Sequence, residues 1–166
     1  EYGPAPFAPN YRRIVSEAML SDEMKKLIRD HSAGMVASIN DDGTPSVSPK
    51  ATFVVLDNSS IAFGNIRSPG TIANIWKRPA VEVCFINVVL RKALRLTGSA
   101  EIQMKAEADA RLLAAFEATW SPYLKCISAF VQIDVSNAEL ILSPAYDFGF
   151  SEEDLRRINL EKLNAL

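Results

Sequence analysis

Arg67-Ser68-Pro69-Gly70-Thr71 is the run in this sequence best suited to holding a charged small molecule. Ser68 is a good helix N-cap, Pro69 falls at the first helical position, where its missing N–H costs nothing, and Thr71 falls at the third. A helix that begins this way offers unpaired N–H groups and the positive end of its dipole to whatever lies in front of it. Arg67 adds a permanent cation with forked donors, the geometry that suits a phosphate. The same residues also read as an ordinary capped helix with a solvated arginine, and spacing alone leaves both readings open.

The other groups with chemical capacity narrow the field. The sequence contains one histidine, His31, so a multi-histidine metal centre cannot be built, and a Ser-His-acid triad would have to use that residue. No serine lies in a Gly-x-Ser-x-Gly elbow, and no Gly-x-Gly occurs, which removes the dinucleotide fingerprint and the phosphate-binding P-loop together. Cys84 and Cys126 are far apart in sequence and form no CxxC pair, so a reducing cytoplasm is the expected setting. Asp41-Asp42 and Glu152-Glu153-Asp154 sit at a turn and a helix start, where carboxylates have structural reasons to be. What is left, a phosphate-suited helix start with few acid or base groups, is the pattern expected when a bound cofactor carries the difficult chemistry.

Positioning these residues requires a core, and 166 residues with 48% apolar content suffice for one domain spanning 1–166. Net charge is -2, with no basic run, so nucleic acid is not an expected partner. No apolar stretch reaches the length of a membrane span. Residues 1–20 carry prolines and read as an N-terminal arm, with weak helical periodicity over 11–20. A helix opens at Ser21-Asp22-Glu23. Strands are expected at 35–40, 46–56, 60–64, 81–86, 93–103 and 126–142, the last bending at Ser136-Asn137-Ala138. Pro49 restricts the second strand to an edge or a bulge. Helices are expected at 68–77 and at 104–120, where Leu112, Leu113, Phe116 and Trp120 form a core stripe, and as a C-terminal helix within 151–166. Six strands joined mostly by short turns predict a mainly β, α+β fold, an antiparallel barrel with peripheral helices.

Three segments carry a family resemblance: Gly43-x-Pro45-x-Val47-Ser48-Pro49-Lys50, then Leu56-Asp57 with Ile61-Ala62-Phe63, then Thr71-x-x-Asn74-Ile75 with Pro79-x-Val81. Together with 94–102 they resemble the FMN-binding split barrel of the pyridoxamine 5'-phosphate oxidase-like superfamily. The resemblance implies a six-stranded split β-barrel, FMN as cofactor, and a homodimer with the cofactor at the subunit interface. It also implies an oxidoreductase acting on a small molecule, with a nicotinamide nucleotide or a partner reductase as the electron donor. A flavin carrier or sensor without turnover, or a deazaflavin- or haem-handling relative, is the alternative; an axial histidine would have to be His31. Carried over by position, Val47, Ser48, Pro49 and Lys50 correspond to the strand along the flavin ring. Arg67, Ser68 and Thr71 correspond to the phosphate turn, and Asn74 to a helix residue near the cofactor. Many relatives place a lysine at or beside the position of Gly70; this chain does not, and Lys92, Arg95 or Arg91 from the second subunit are the substitutes considered. Tyr146 or Trp120 would line the substrate side.

Overall fold

A computed structural model describes residues 20–166, so the expected arm over 1–19 lies outside the described residues. The chain order is α1 (Asp22–Asp30), β1 (Gly34–Ile39), β2 (Pro45–Lys50), β3 (Phe53–Val55), β4 (Ser60–Asn65), α2 (Pro69–Lys77), β5 (Ala80–Asn87), β6 (Lys92–Met104), α3 (Ala110–Trp120), β7 (Ala129–Leu142) and α4 (Glu152–Asn164). The strands form one antiparallel sheet in the order β2-β1-β5-β6-β7-β4-β3. Seven strands therefore replace the six expected.

The difference lies in the segment 46–56, expected as one strand. It leaves the ladder after Lys50 and re-enters it at Phe53, at the opposite edge of the sheet. Six inter-strand spacings would put the two edges about 29 Å apart in a flat sheet. Three Cα steps from Lys50 to Phe53 span at most about 11 Å. The sheet must curl until its edges meet at this corner, which is how a barrel closes at one place and stays split elsewhere. Thr52 fastens the corner: its hydroxyl donates to the Gly64 carbonyl at 2.9 Å and accepts from the Gly64 N–H at 3.1 Å. Pro49 lies on the edge strand, as its lack of a donor requires.

Closure builds the main core. Phe53 meets Phe63 and Phe85 with ring centroids 5.5 and 4.8 Å away, among Val36, Ile61, Val83, Leu94, Leu96 and Ile133. Gly34, opposite Lys50 in the ladder, leaves room for those rings; a Cβ there would come within 2.7 Å of Phe53. A second cluster joins Leu112 and Phe116 of α3 to Val54, Ala62, Ile127 and Phe130, so the stripe on α3 is core as its period suggests. That helix begins later than expected, at Ala110 behind an Asp109 cap, because β6 runs on to Met104 and a 3-10 turn follows. The start of the last strand shifts similarly, from 126 to Ala129. The bend expected at Ser136-Asn137-Ala138 is a β-bulge: Thr97 pairs with Asn137 and Gly98 with Val135, leaving Ser136 as the extra residue.

Thr52→Val keeps the shape of the corner and removes both hydroxyl bonds. Because the buried Gly64 carbonyl loses its hydroxyl donor, while the Gly64 N–H keeps the Thr52 backbone carbonyl at 3.2 Å, we expect a loss of about 1–3 kcal/mol, read as a lower urea midpoint at unchanged m-value.

Candidate functional site: the inner face of β2 and the start of α2

Strand alternation divides the stretch Val47–Lys50 between two faces. Ser46, Ser48 and Lys50 point inward, while Val47 and Pro49 point out. Lys50 is only 9% exposed. Its ammonium donates to the Ser48 hydroxyl and to the Pro49 carbonyl at 3.2 Å, and lies 5.9 Å from the centroid of the Phe63 ring. Among the described residues no carboxylate comes within ion-pair distance of it. Burial without a counter-charge pushes its pKa below the ordinary lysine value.

Phe63 also leads to the second half of the site, since β4 ends at Asn65 and Ile66-Arg67-Ser68 turns into α2. Ser68 occupies the N-cap position, but its side chain makes no cap bond, so the sequence expectation holds for place and not for the bond. The reason is local: its backbone is at φ -146°, ψ 61°, away from the extended geometry that aims an N-cap oxygen at the helix N–H groups. Arg67 is exposed and has no hydrogen bond or ion pair to any described residue. Thr71 is buried one turn in.

The far half of α2 is tied to the β1–β2 hairpin. The Asn74 amide donates to the Ser38 hydroxyl at 3.1 Å and to the Asn40 side-chain oxygen at 2.9 Å. Asp41 binds Lys77 at 2.5 Å and Arg78 at 2.7 Å, and those two bonds hold its carboxyl below the usual carboxylate range, Lys77 contributing most. Asn74 is thus a strut within the protein, fixing α2 on β1 and the turn after it, while the cap position at the start of α2 makes no side-chain bond. Ser38, Asn40, Thr52 and Phe63 were missed at the sequence level. The inward parity of Ser38 with Ser46 and Ser48 was the available signal.

The two cations of β6 go elsewhere. Arg95 is on the outer face, in a cross-strand row with Cys84, Met35 and Pro49, and pairs with Glu139 at 2.5 Å. Lys92 has the opposite parity, and its ammonium binds Glu23 at 2.8 Å and Glu152 at 2.5 Å, which pushes its pKa far above the ordinary lysine value. Within one chain, then, Lys92 and Arg95 join neither each other nor Lys50. Arg91 donates to Asn159 at 3.4 Å, at the tip of the β5–β6 turn. Tyr146 donates to the Leu90 carbonyl at 2.7 Å and Trp120 to the Phe53 carbonyl at 2.9 Å. His31 occupies the C-cap position of α1, three residues before β1 begins. Among the described residues no helix is long and apolar enough to cross a membrane, and no group of three metal-ligating side chains converges.

A curled antiparallel sheet closed at one corner, with a buried lysine at the end of β2, defines a split-barrel protein. The chain belongs to the pyridoxamine 5'-phosphate oxidase family, whose model matches residues 20–141. HupZ of Group A Streptococcus is 26% identical over 75% of this chain and 96% of its own, with a TM-score of 0.66. A candidate pyridoxamine 5'-phosphate oxidase from Lactobacillus delbrueckii is 21% identical over 75% of this chain and 97% of its own, at TM-score 0.61. An F420 reductase is 18% identical over 72% and 98%, at TM-score 0.57. The last two likenesses concern the fold alone. None of the curated proteins matches the chain.

The depressed pKa of Lys50 has a testable sign. Below its folded pKa the lysine is charged in both states, and the folded state bears the desolvation cost. Above the ordinary value of 10.5 it is neutral in both and the cost is gone. Lys50→Met should therefore raise the denaturation midpoint at pH 7, and the advantage over the parent should shrink as pH rises toward 10.5. Parallel urea titrations of the two proteins between pH 7 and pH 10.5 measure it.

Proposed function

We propose that this protein is an FMN-dependent oxidoreductase acting on a small molecule, working as a homodimer with the cofactor at the subunit interface. The observation that carries the reading is Lys50, a buried cation with no carboxylate partner among the described residues, together with a start of α2 whose serine and arginine have unused hydrogen-bonding capacity. Those groups fit a ligand bearing both a phosphate and an electron-rich ring. Arg67, Ser68 and the first N–H groups of α2 would hold the phosphate. Ser48 and Lys50, with the unpaired outer edge of β2, would lie along the ring. Bound FMN would supply two-electron chemistry, with a nicotinamide nucleotide as donor. Lys50 places positive charge where a reduced flavin gathers negative charge, so it favours the reduced form electrostatically. Thr71 and Asn74 orient the helix start and keep its N–H groups directed at the phosphate.

The outer sheet face supports the dimer. Met35, Ile39, Val47 and Ile86 are exposed by 37–64% on adjacent strands β2, β1 and β5, an apolar surface that a second copy would cover. Arg95 and Pro49 share that face, so in a dimer Arg95 would approach the partner's flavin. A haem reading is less well supported, because the sequence offers a single imidazole, His31, as axial ligand.

Titration of flavin fluorescence tests the anchor. FMN should bind more tightly than riboflavin. Arg67→Ala should weaken FMN by roughly 1.5–3 kcal/mol, with riboflavin affinity nearly unchanged; equal losses for both ligands would remove the phosphate role. Gly70 has open space where a Cβ would stand, so Gly70→Lys should fold and tighten FMN. Anaerobic addition of NADH or NADPH should bleach the bound flavin. If every donor fails, the carrier reading replaces the enzyme. Val47→Asp should shift sedimentation toward monomer and lower FMN affinity together; an FMN-loaded monomer would contradict the shared site.

A further inference from the structure

A groove separate from the β2–α2 corner lies between α1 and α4. Both helices start at Lys92, whose ammonium binds Glu23 near the start of α1 and Glu152 at the start of α4. From that point they form the walls of a cavity of about 460 Å³, within the range of small-ligand sites. Lys26, Leu27, Asp30 and His31 line one wall, Arg156 and Leu160 the other, and the β5–β6 turn provides the floor at Val89 and Leu90. The floor is fixed. Asn159 donates to the Val89 carbonyl at 2.8 Å, Tyr146 donates to the Leu90 carbonyl, and the Asn87 side chain accepts from the backbone N–H groups of both floor residues.

The charges in the groove sort themselves by pairing. Glu23 and Glu152 are occupied by Lys92, and Asp30 by Lys26 at 2.5 Å. Arg156 has no ion pair or hydrogen bond to any described residue, and the half-buried His31 side chain on the facing wall likewise has none. The Glu23–Lys92–Glu152 cluster retains one surplus negative charge at the origin of the helices, which repels an anion from that end. One unspent guanidinium suits one carboxylate. Leu27, Val89, Leu90 and Leu160 offer apolar surface to the rest of the ligand.

We propose that this groove binds a small apolar monocarboxylate, with its carboxylate on Arg156 next to His31 and its hydrocarbon part along Leu27, Val89, Leu90 and Leu160. A dicarboxylate is disfavoured, since its second charge would face the Glu23–Lys92–Glu152 cluster. The site is independent of the flavin reading: it shares no residue with the inner face of β2 or the start of α2.

The probes are octanoate, octanol and octylamine, titrated into the isotope-labelled full chain and followed by amide NMR shifts. Octanoate should give saturable shifts at Leu27, His31, Val89, Leu90 and Leu160, with octanol about tenfold weaker or more and octylamine weaker still. Arg156→Gln, at an exposed position, should leave the spectrum folded and lower octanoate to the octanol level, while FMN binding stays as in the parent. Leu160→Glu, at a second exposed position, should abolish octanoate shifts by adding a negative charge at the rim. Octanol binding as tightly as octanoate, an Arg156→Gln protein that binds octanoate like the parent, or shifts confined to other regions would each overturn the assignment.

Discussion

Two residues, Ala51 and Thr52, join strands at opposite edges of a seven-stranded sheet, and the rest of the structure follows from that short reach. A flat sheet cannot satisfy it, so the sheet curls, Phe53 is carried onto Phe63 and Phe85, and the core forms within the curl. The same step places Lys50, the last residue of β2, over Phe63 of β4. A lysine that would be solvated at the end of an open edge strand is instead enclosed on the inner face. Closure and the unusual charge are one event.

The charge arrangement then separates structural cations from those available for binding. Lys77 and Arg78 are occupied by Asp41, Lys92 by Glu23 and Glu152, Arg95 by Glu139, and Arg111 by Asp57. Pairs open to solvent, such as those of Asp41, contribute little to stability. Their effect is to fix helices in place: α2 by its far end on the β1–β2 hairpin, α1 and α4 by their starts on β6. Lys50 and Arg67 stand outside this set, Lys50 over Phe63 of β4 and Arg67 in the turn that follows that strand. A protein that left such a cation buried would be more stable without it, which is the usual relation between a binding group and the fold that carries it.

Much of this was legible in the residues. The strand periods, the α3 core stripe, Pro49 on an edge and the distortion at Ser136 all come from local pattern, and local pattern survives folding. The split of 46–56 did not show, because Lys50 to Phe53 contains no glycine or proline and the apolar run Phe53-Val54-Val55-Leu56 after it reads as more of the same strand. The break shows only in the sheet order, where β2 pairs with β1 at one edge while β3 pairs with β4, which β7 holds at the other. Ser68 illustrates a finer limit: its type predicts a cap, while its backbone dihedrals decide that the hydroxyl does not make the bond. Lys92 and Arg95 looked equivalent in the linear sequence, yet an odd spacing on one strand puts them on opposite faces. One looks toward α1 and α4, the other outward.

The central claim is that the buried charge of Lys50 is balanced by an anionic flavin rather than by the protein. Stability of the parent and of Lys50→Met, measured by chemical denaturation with and without saturating FMN at pH 7, tests it most directly. The account predicts a reversal: Lys50→Met more stable in the absence of FMN, and less stable than the parent in its presence, because ligand binding to the native state adds stability in proportion to affinity. A difference between the two proteins that is the same with and without FMN would contradict it.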